Sequence, residues 1–176
     1  MKYLIITDIH GSLPAMEKLV KKFTENRCDK FICLGDVLYH GPRNDLPQGY
    51  NPKEVAKIIN HYHDRFIWIR GNCDAEVDEM VLKLKSYKRI SKIINGRKII
   101  FVHGHHLPES ETLEDSNVVI YGHYHVFKMN CEQGVYYINI GSPSIPKDGI
   151  PQYGILDDEK IEIRTMDDKK LGVYIL

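Results

Sequence analysis

The chain has 176 residues, 43% of them hydrophobic, enough to bury a core within the usual size of one domain without disulfide support. Its 24 basic and 24 acidic residues balance, so no global positive field draws it to long nucleic acid or to an anionic membrane. Cys28, Cys33, Cys73 and Cys131 form no CxxC pair, which favours reduced thiols over a disulfide framework or a structural zinc site.

Met1 to Thr7 is an apolar run closed at once by Asp8, too short and too quickly charged for a signal peptide or membrane span, so a cytoplasmic location is expected. Within it YLIIT reads as a strand, followed by a polar turn and a helical pattern from Leu13 and Pro14. FICL at 31–34 is a second strand and opens into a Pro/Gly-rich loop at 38–52. Val55, Ile58, Ile59 and Tyr62 then recur at helical spacing before the strand FIWI at 66–69. Alternating β and α elements imply a parallel sheet with helices on its faces. After Lys88 the character changes to strand-like runs, RISKII, RKIIFVH, VVIYGH, VYYINI and YGILD, separated by turn signals such as Asn95-Gly96 and Gln133-Gly134. The expectation is a two-sheet α/β sandwich in a single domain over 1–176.

Five short polar clusters each follow an apolar strand: Asp8-Ile9-His10, Gly35-Asp36, Gly71-Asn72-Cys73-Asp74, His103-Gly104-His105 and Gly122-His123-Tyr124-His125. In open α/β sheets ligands bind beyond the carboxyl ends of the strands, so residues far apart in sequence can converge on one crevice. The clusters supply seven metal-binding side chains, Asp8, His10, Asp36, Asn72, His103, His123 and His125. Such a mixture of carboxylate oxygen and imidazole nitrogen suits divalent manganese, iron or zinc, with nickel and cobalt as alternatives. Seven ligands are too many for one tetrahedral ion but divide into two sets if one carboxylate bridges, and Asp36 is the candidate. A lone DxH or GN match is commonplace, but two aspartates, an asparagine and four histidines all placed directly after strands are not explained as satisfied core residues.

The order DxH, GDxxxHG, GNCD, HGH and GHYH resembles the calcineurin-like metallophosphoesterase superfamily over nearly the whole chain. The segments DIHGSLPA, LGDVLYHGPRN, RGNCDAEVD and GSPSIPKDG resemble its YfcE-type bacterial phosphodiesterases. The resemblance implies a four-layer α/β/β/α sandwich of two mixed sheets flanked by helices, a two-metal centre commonly filled with manganese in vitro, and hydrolysis of phosphodiesters. By motif position Asp8, His10, Asp36 and His125 would hold one ion and Asp36, Asn72, His103 and His123 the other. Most of the superfamily has histidine after the asparagine, where it meets the reacting phosphate. Here Cys73 stands in that place, which argues against ordinary monoesterase activity.

Two ions sharing a water lower its pKa and present hydroxide to phosphorus, so no protein nucleophile is needed. Cys73, with His10 and Asn72, is the expected catalytic set, and Cys73 also a substrate contact. Arg43 could place a guanidinium on phosphate, and His105 could touch substrate, with His106 beside it either doing the same or facing solvent. The loop that holds Arg43 also carries Tyr39, His40, Asn44 and Tyr50, so it is expected to cover the site and choose the organic group of the ester. His61 and His63 are placed on the second helix, away from the chemistry. The expected partner is a small phosphodiester, with self-association through Tyr3, Tyr174 and the C-terminal VYIL left open. The competing readings are a phosphomonoesterase of the same fold and a non-enzymatic interaction scaffold, as in the retromer subunit that shares the fold.

Overall fold

The computed structural model describes residues 1–109, 113 and 117–176. Two mixed β-sheets stack face to face. The first has seven strands in the order β12-β11-β10-β1-β2-β3-β4, the second five in the order β5-β6-β7-β9-β8. In chain order these are β1 (Tyr3–Ile6), β2 (Lys30–Cys33), β3 (Phe66–Ile69), β4 (Ser86–Tyr87), β5 (Ile90–Ile94), β6 (Arg97–Phe101), β7 (Val118–Tyr121), β8 (Phe127–Glu132), β9 (Val135–Ile140), β10 (Gln152–Leu156), β11 (Lys160–Thr165) and β12 (Lys170–Ile175). The helices α1 (Leu13–Glu25), α2 (Pro52–His61) and α3 (Glu76–Leu82) follow the first three strands.

Strands β1, β2 and β3 pair in parallel, as their helical crossovers require, and each is buried on both faces. Alternation sorts their side chains. Tyr3, Ile5, Ile32 and Ile69 point between the sheets and meet Ile99, Phe101, Ile120 and Ile138 of the second sheet. Leu4, Ile6, Phe31, Cys33 and Trp68 point the other way, onto Met16, Leu19 and Phe23 of α1, Val55 and Ile59 of α2, and Leu82 of α3. Pro sits in the first turn of α1 and of α2. Ser12 Oγ accepts from the Ala15 N–H and Asn51 Oδ1 from the Glu54 N–H, so both helices start where the strand-end loops deliver the chain. All three helices therefore lie outside the seven-stranded sheet. The outer face of the five-stranded sheet presents Ile100, Val119, Tyr121 and Tyr137, against which Leu107 and Leu113 pack. The helical layer expected on that side is not among the described residues, and 110–112 and 114–116 of the β6–β7 connection lie outside them.

The two hairpin signals hold. Asn95 and Gly96 both adopt positive φ between β5 and β6, as do Gln133 and Gly134 between β8 and β9. The sequence reading of the C-terminal half was incomplete. YGILD does not end the sheet, because β11 and β12 extend it as an antiparallel meander, and β1 pairs antiparallel with β10, so the first sheet joins both ends of the chain. Tyr3 and Tyr174 are buried, while Val173 and Ile175 face outward from the edge strand β12. His61 ends α2, but His63 lies beyond it, in a 3-10 turn at His63–Arg65. Among the described residues no helix is long and apolar enough to cross a membrane. The four cysteines are free thiols, with Cys28 and Cys33 buried and Cys131 exposed.

Candidate metal centre

The ends of β1, β2, β3, β6 and β7 open onto one crevice, and the loops that leave them are bonded to one another. The N–H groups of Asp8, His10 and Gly11 donate to the carbonyls of Gly35, Asp36 and Val37 at 2.8 to 2.9 Å, which continues the β1–β2 pairing past the strand ends. Gly122 N–H donates to His103 O at 2.8 Å and does the same for β6 and β7. Within this frame Asp8, His10, Asp36, His123 and His125 all have positive φ, between 50° and 69°. Left-handed backbone is costly for residues with a Cβ, and these five held there side by side mark strain concentrated at the site. Nothing in their sequence signals it.

Each carboxylate has one oxygen pinned and the other aimed inward. Asp8 Oδ2 accepts from Thr7 Oγ1 at 2.7 Å and from the His123 N–H at 2.8 Å. Its Oδ1 is buried without a hydrogen-bond partner, 3.2 Å from His125 Nε2, 3.6 Å from His10 Nε2 and 4.0 Å from His103 Nε2. Asp36 Oδ1 accepts from the Cys73 N–H at 2.8 Å, while Oδ2 lies 3.4 Å from His103 Nε2 and 3.8 Å from His10 Nε2. Both inward oxygens thus face histidines from each of the two ligand sets inferred from the motifs.

The histidines are oriented just as strictly. Nδ1 of His10 meets Tyr39 O at 2.7 Å, that of His103 meets Leu34 O at 2.7 Å and that of His125 meets Ile145 O at 3.0 Å. A carbonyl only accepts, so each Nδ1 carries a proton and each ring turns its Nε2 into the crevice, where it offers a lone pair to a metal once no proton occupies it. His10 and His125 even set their Nε2 atoms 3.3 Å apart. Lone pairs and carboxylate oxygens pointed at one another in a buried space need a cation between them. The same three carboxylate–histidine groupings, Asp8 with His10 and His125, Asp8 with Asp36 and His103, and His10 with Asp36 and Cys73, each bring their ligand atoms within 4.8 Å of one another. The donor set therefore fits a divalent ion by its chemistry and by the orphaned Asp8 oxygen.

Without such an ion the charges fall on protons. Burial opposes charge on His103, yet Asp36 and Asp8 outweigh it and push its pKa up to about 9, and His10 is raised in the same way. Burial likewise opposes the Asp8 and Asp36 carboxylates, but the histidines hold Asp8 well below its usual range and Asp36 below it. Whatever draws protons here draws metal cations too.

Asn72 Oδ1 lies 3.0 Å from His103 Nε2, and the His123 ring stands 5.1 Å from that of His103 at the half-open mouth, where burial and the neighbouring His103 depress its pKa to about 4. Cys73 Sγ sits beside the His10 and Asp36 ligand atoms, closer to the centre than a mere neighbour of Asn72 needs to be. Burial first, then the charge of Asp36, push its thiol up to about 12, so it is a neutral S–H. Arg43, with Tyr39, Asn44 and Lys147, lines a crevice of about 550 Å³ over Asp36, Cys73 and His125. His105 and His106 are not in that crevice. They are exposed and line a neighbouring groove with His103, the His105 ring 5.4 Å from that of His103 and 6.2 Å from that of His123.

Three supports hold this arrangement, the first two of which were not legible in the sequence. Asp74 accepts from the N–H groups of Asp36, Val37 and Gly71 at 2.7 to 2.9 Å and from Trp68 Nε1 at 3.2 Å, tying the β2 loop to the β3 loop. Ser142 and Ser144 both donate to Asp8 O, at 2.8 and 2.9 Å, which gives the GSPSIPKDG segment its role at this site. Glycine is required at 71 and 122, since a Cβ would stand 2.1 Å from Asp36 Oδ1 at the first and 2.0 Å from Thr7 Oγ1 and 2.6 Å from Asp8 Oδ2 at the second.

Residues 1–160 match the family model described as the calcineurin-like phosphoesterase superfamily domain. The chain is 38% identical to "Phosphodiesterase YfcE" of Escherichia coli strain K12 over 175 residues, covering 97% of this chain and 95% of that protein. It is 30% identical to "Phosphodiesterase MJ0936" of Methanocaldococcus jannaschii over 176 residues, covering 94% and 98%. Among solved structures it superimposes on an E. coli phosphoesterase, "Yfce", with a TM-score of 0.91 at 35% identity, covering 99% of this chain and 98% of the other.

Proposed function

The chain belongs to the calcineurin-like phosphoesterase superfamily, and from that premise we propose that it is a two-metal phosphodiesterase acting on a small ester. The observation that carries this reading is the convergence of three Nε2 atoms, each fixed by a carbonyl on Nδ1, upon the inward oxygens of Asp8 and Asp36. Asp8, His10, Asp36 and His125 would hold one divalent ion, and Asp36, Asn72, His103 and His123 the other, with Asp36 shared. Manganese is the first candidate and iron, zinc, nickel and cobalt the alternatives. Such a pair would supply Lewis acidity, making hydroxide available as the nucleophile at neutral pH and stabilising charge on the phosphoryl oxygens.

The chain's own groups do the rest. The buried carboxylates and their fixed backbone donors keep the ligands in place, so little reorganisation is needed during reaction. Arg43 sits on the crevice wall, where its planar fork can take a phosphoryl oxygen, and Tyr39 and Asn44 beside it face the ester's organic group. Cys73 offers at best a weak S–H donor where a histidine would give a strong one. A monoester dianion carries one more negative charge on its phosphoryl oxygens than a diester and loses more when a strong donor is replaced by a weak one, which favours the diesterase over the monoesterase reading. The scaffold reading lacks a comparable observation, because the inward-facing donor atoms remain intact.

Metal-stripped protein refilled with manganese should hydrolyse bis(p-nitrophenyl) phosphate faster than p-nitrophenyl phosphate, and Cys73→His should move that ratio towards the monoester by about tenfold. Equal or faster monoester turnover by the wild type would assign it to the monoesterases. The absence of metal-dependent turnover of both esters would sink the enzymatic reading.

A further inference from the structure

A phosphodiester has two arms, and the metal centre has two exits. One is the crevice of Arg43 and Tyr39. The other is a separate groove of about 470 Å³ that begins at Gly71, His103 and Gly104 and runs away between the start of β5 and the loop after β6. The contact of Asn72 Oδ1 with His103 Nε2 at 3.0 Å stands at the boundary between them. This second groove is lined by Arg70, Lys88 and Arg89, with His105 and His106 on the opposite wall.

The distribution of charge there is one-sided. Glu79 accepts from Arg70 Nη2 at 2.8 Å, and Ser86 Oγ accepts from Arg70 Nε at 2.9 Å, so that guanidinium is fixed in place. Lys88 and Arg89 are exposed and have no ion pair among the described residues, and no carboxylate is among the described residues that line the groove. In a chain with zero net charge, the two unpaired cations Lys88 and Arg89, beside the charge-compensated Arg70–Glu79 pair, form a local positive pocket next to the metal ligands. A carboxylate, with one charge, needs one such partner. A terminal phosphate, with a charge of about −1.5 to −2 and three acceptor oxygens, matches the set.

We propose, on the basis of the phosphodiesterase reading, that this groove is a subsite for a second phosphate, and that the substrate class is a short diester with a phosphorylated arm, of the kind found in a phosphorylated dinucleotide. The scissile phosphate lies over the metal ligands, the unphosphorylated arm enters the Arg43 crevice, and the phosphorylated arm reaches Arg70, Lys88 and Arg89.

The probes are the dinucleotides TpT, pTpT and TpTp, with bis(p-nitrophenyl) phosphate as a control that carries no further phosphate, all on manganese-loaded full-length protein. One of the phosphorylated dinucleotides should be cleaved at its internal diester with kcat/KM about tenfold above TpT, the gain lying in KM. In the doubly substituted Lys88→Ala/Arg89→Ala protein that ratio should fall to about one, with the melting temperature checked to establish folding. Lys88→Arg should keep most of the ratio, since the cation is retained. Equal kcat/KM for all three dinucleotides in wild type that still cleaves the control would overturn the subsite and leave the diesterase reading standing. A ratio that survives the double substitution would overturn the assignment to this groove. Failure to cleave even the control would remove both.

Discussion

A carboxylate offers about four acceptor sites, and Asp74 uses its own on three backbone N–H groups and an indole from four different positions of the site's frame. Burial pushes its pKa up, and the Val37 and Gly71 N–H groups act against that shift. Two of the bonded N–H groups belong to Asp36 and Val37, so Asp74 sets where Asp36 points without lying among the inward-facing ligands. In Asp74→Asn either orientation of the amide turns an NH₂ towards a bonded N–H. The expected cost is about 1–3 kcal/mol of stability and a 10- to 100-fold loss of manganese affinity. Denaturant unfolding and titration calorimetry check the two effects. Lowered stability with wild-type affinity would reduce Asp74 to a structural tie. Sequence alone placed Asp74 in a polar cluster but gave it no role, because hydrogen bonding to backbone leaves no pattern in residue type.

At the scale of elements, the site was legible to the extent that each ligand follows an apolar run. A strand buried on both faces must be apolar throughout, so the first polar residue after YLII, FIC or VVIY marks the strand end, and strand ends are where ligands gather. The same logic failed for β8 and β12, FKMNCE and KLGVYI, which lie at sheet edges with half their residues facing solvent and therefore have no apolar run. It failed for β11 because Glu162, on the face away from Ile161 and Ile163, is buried and paired with Lys160 and Arg164. The helix α3 was missed because Val77, Met80 and Val81 are exposed and only Leu82 is buried. Gly122 serves close approach: β7 can deliver His123 to Asp8 only if no Cβ intervenes. Gly122→Ala should therefore cost about 1–3 kcal/mol, with thermal unfolding as the check, and should weaken metal binding along with it. An alanine variant that melts and binds metal as the wild type does would show that the β1 end yields without disturbing Asp8.

At the scale of the whole molecule, the sandwich explains why residues from both halves of the chain meet. The β1–β2–β3 sheet supplies Asp8, His10, Asp36 and Asn72, the β6–β7 pair supplies His103, His123 and His125, and the β9–β10 connection returns to hold Asp8 through Ser142 and Ser144. The inter-sheet core of Ile5, Ile32, Leu34, Ile99, Phe101 and Ile120 fixes the separation of the two ligand groups, so the distance between them is a property of the packing. On the proposed function, this packing holds two divalent ions about Asp36. The direct measurement is bound manganese per chain by elemental mass spectrometry after equilibration and removal of free metal, for wild type and for Asp36→Asn. Two ions per wild-type chain, with no more than one in Asp36→Asn, is the result expected. A wild type that retains one ion or none, or an Asp36→Asn protein that still retains two, would contradict the assignment.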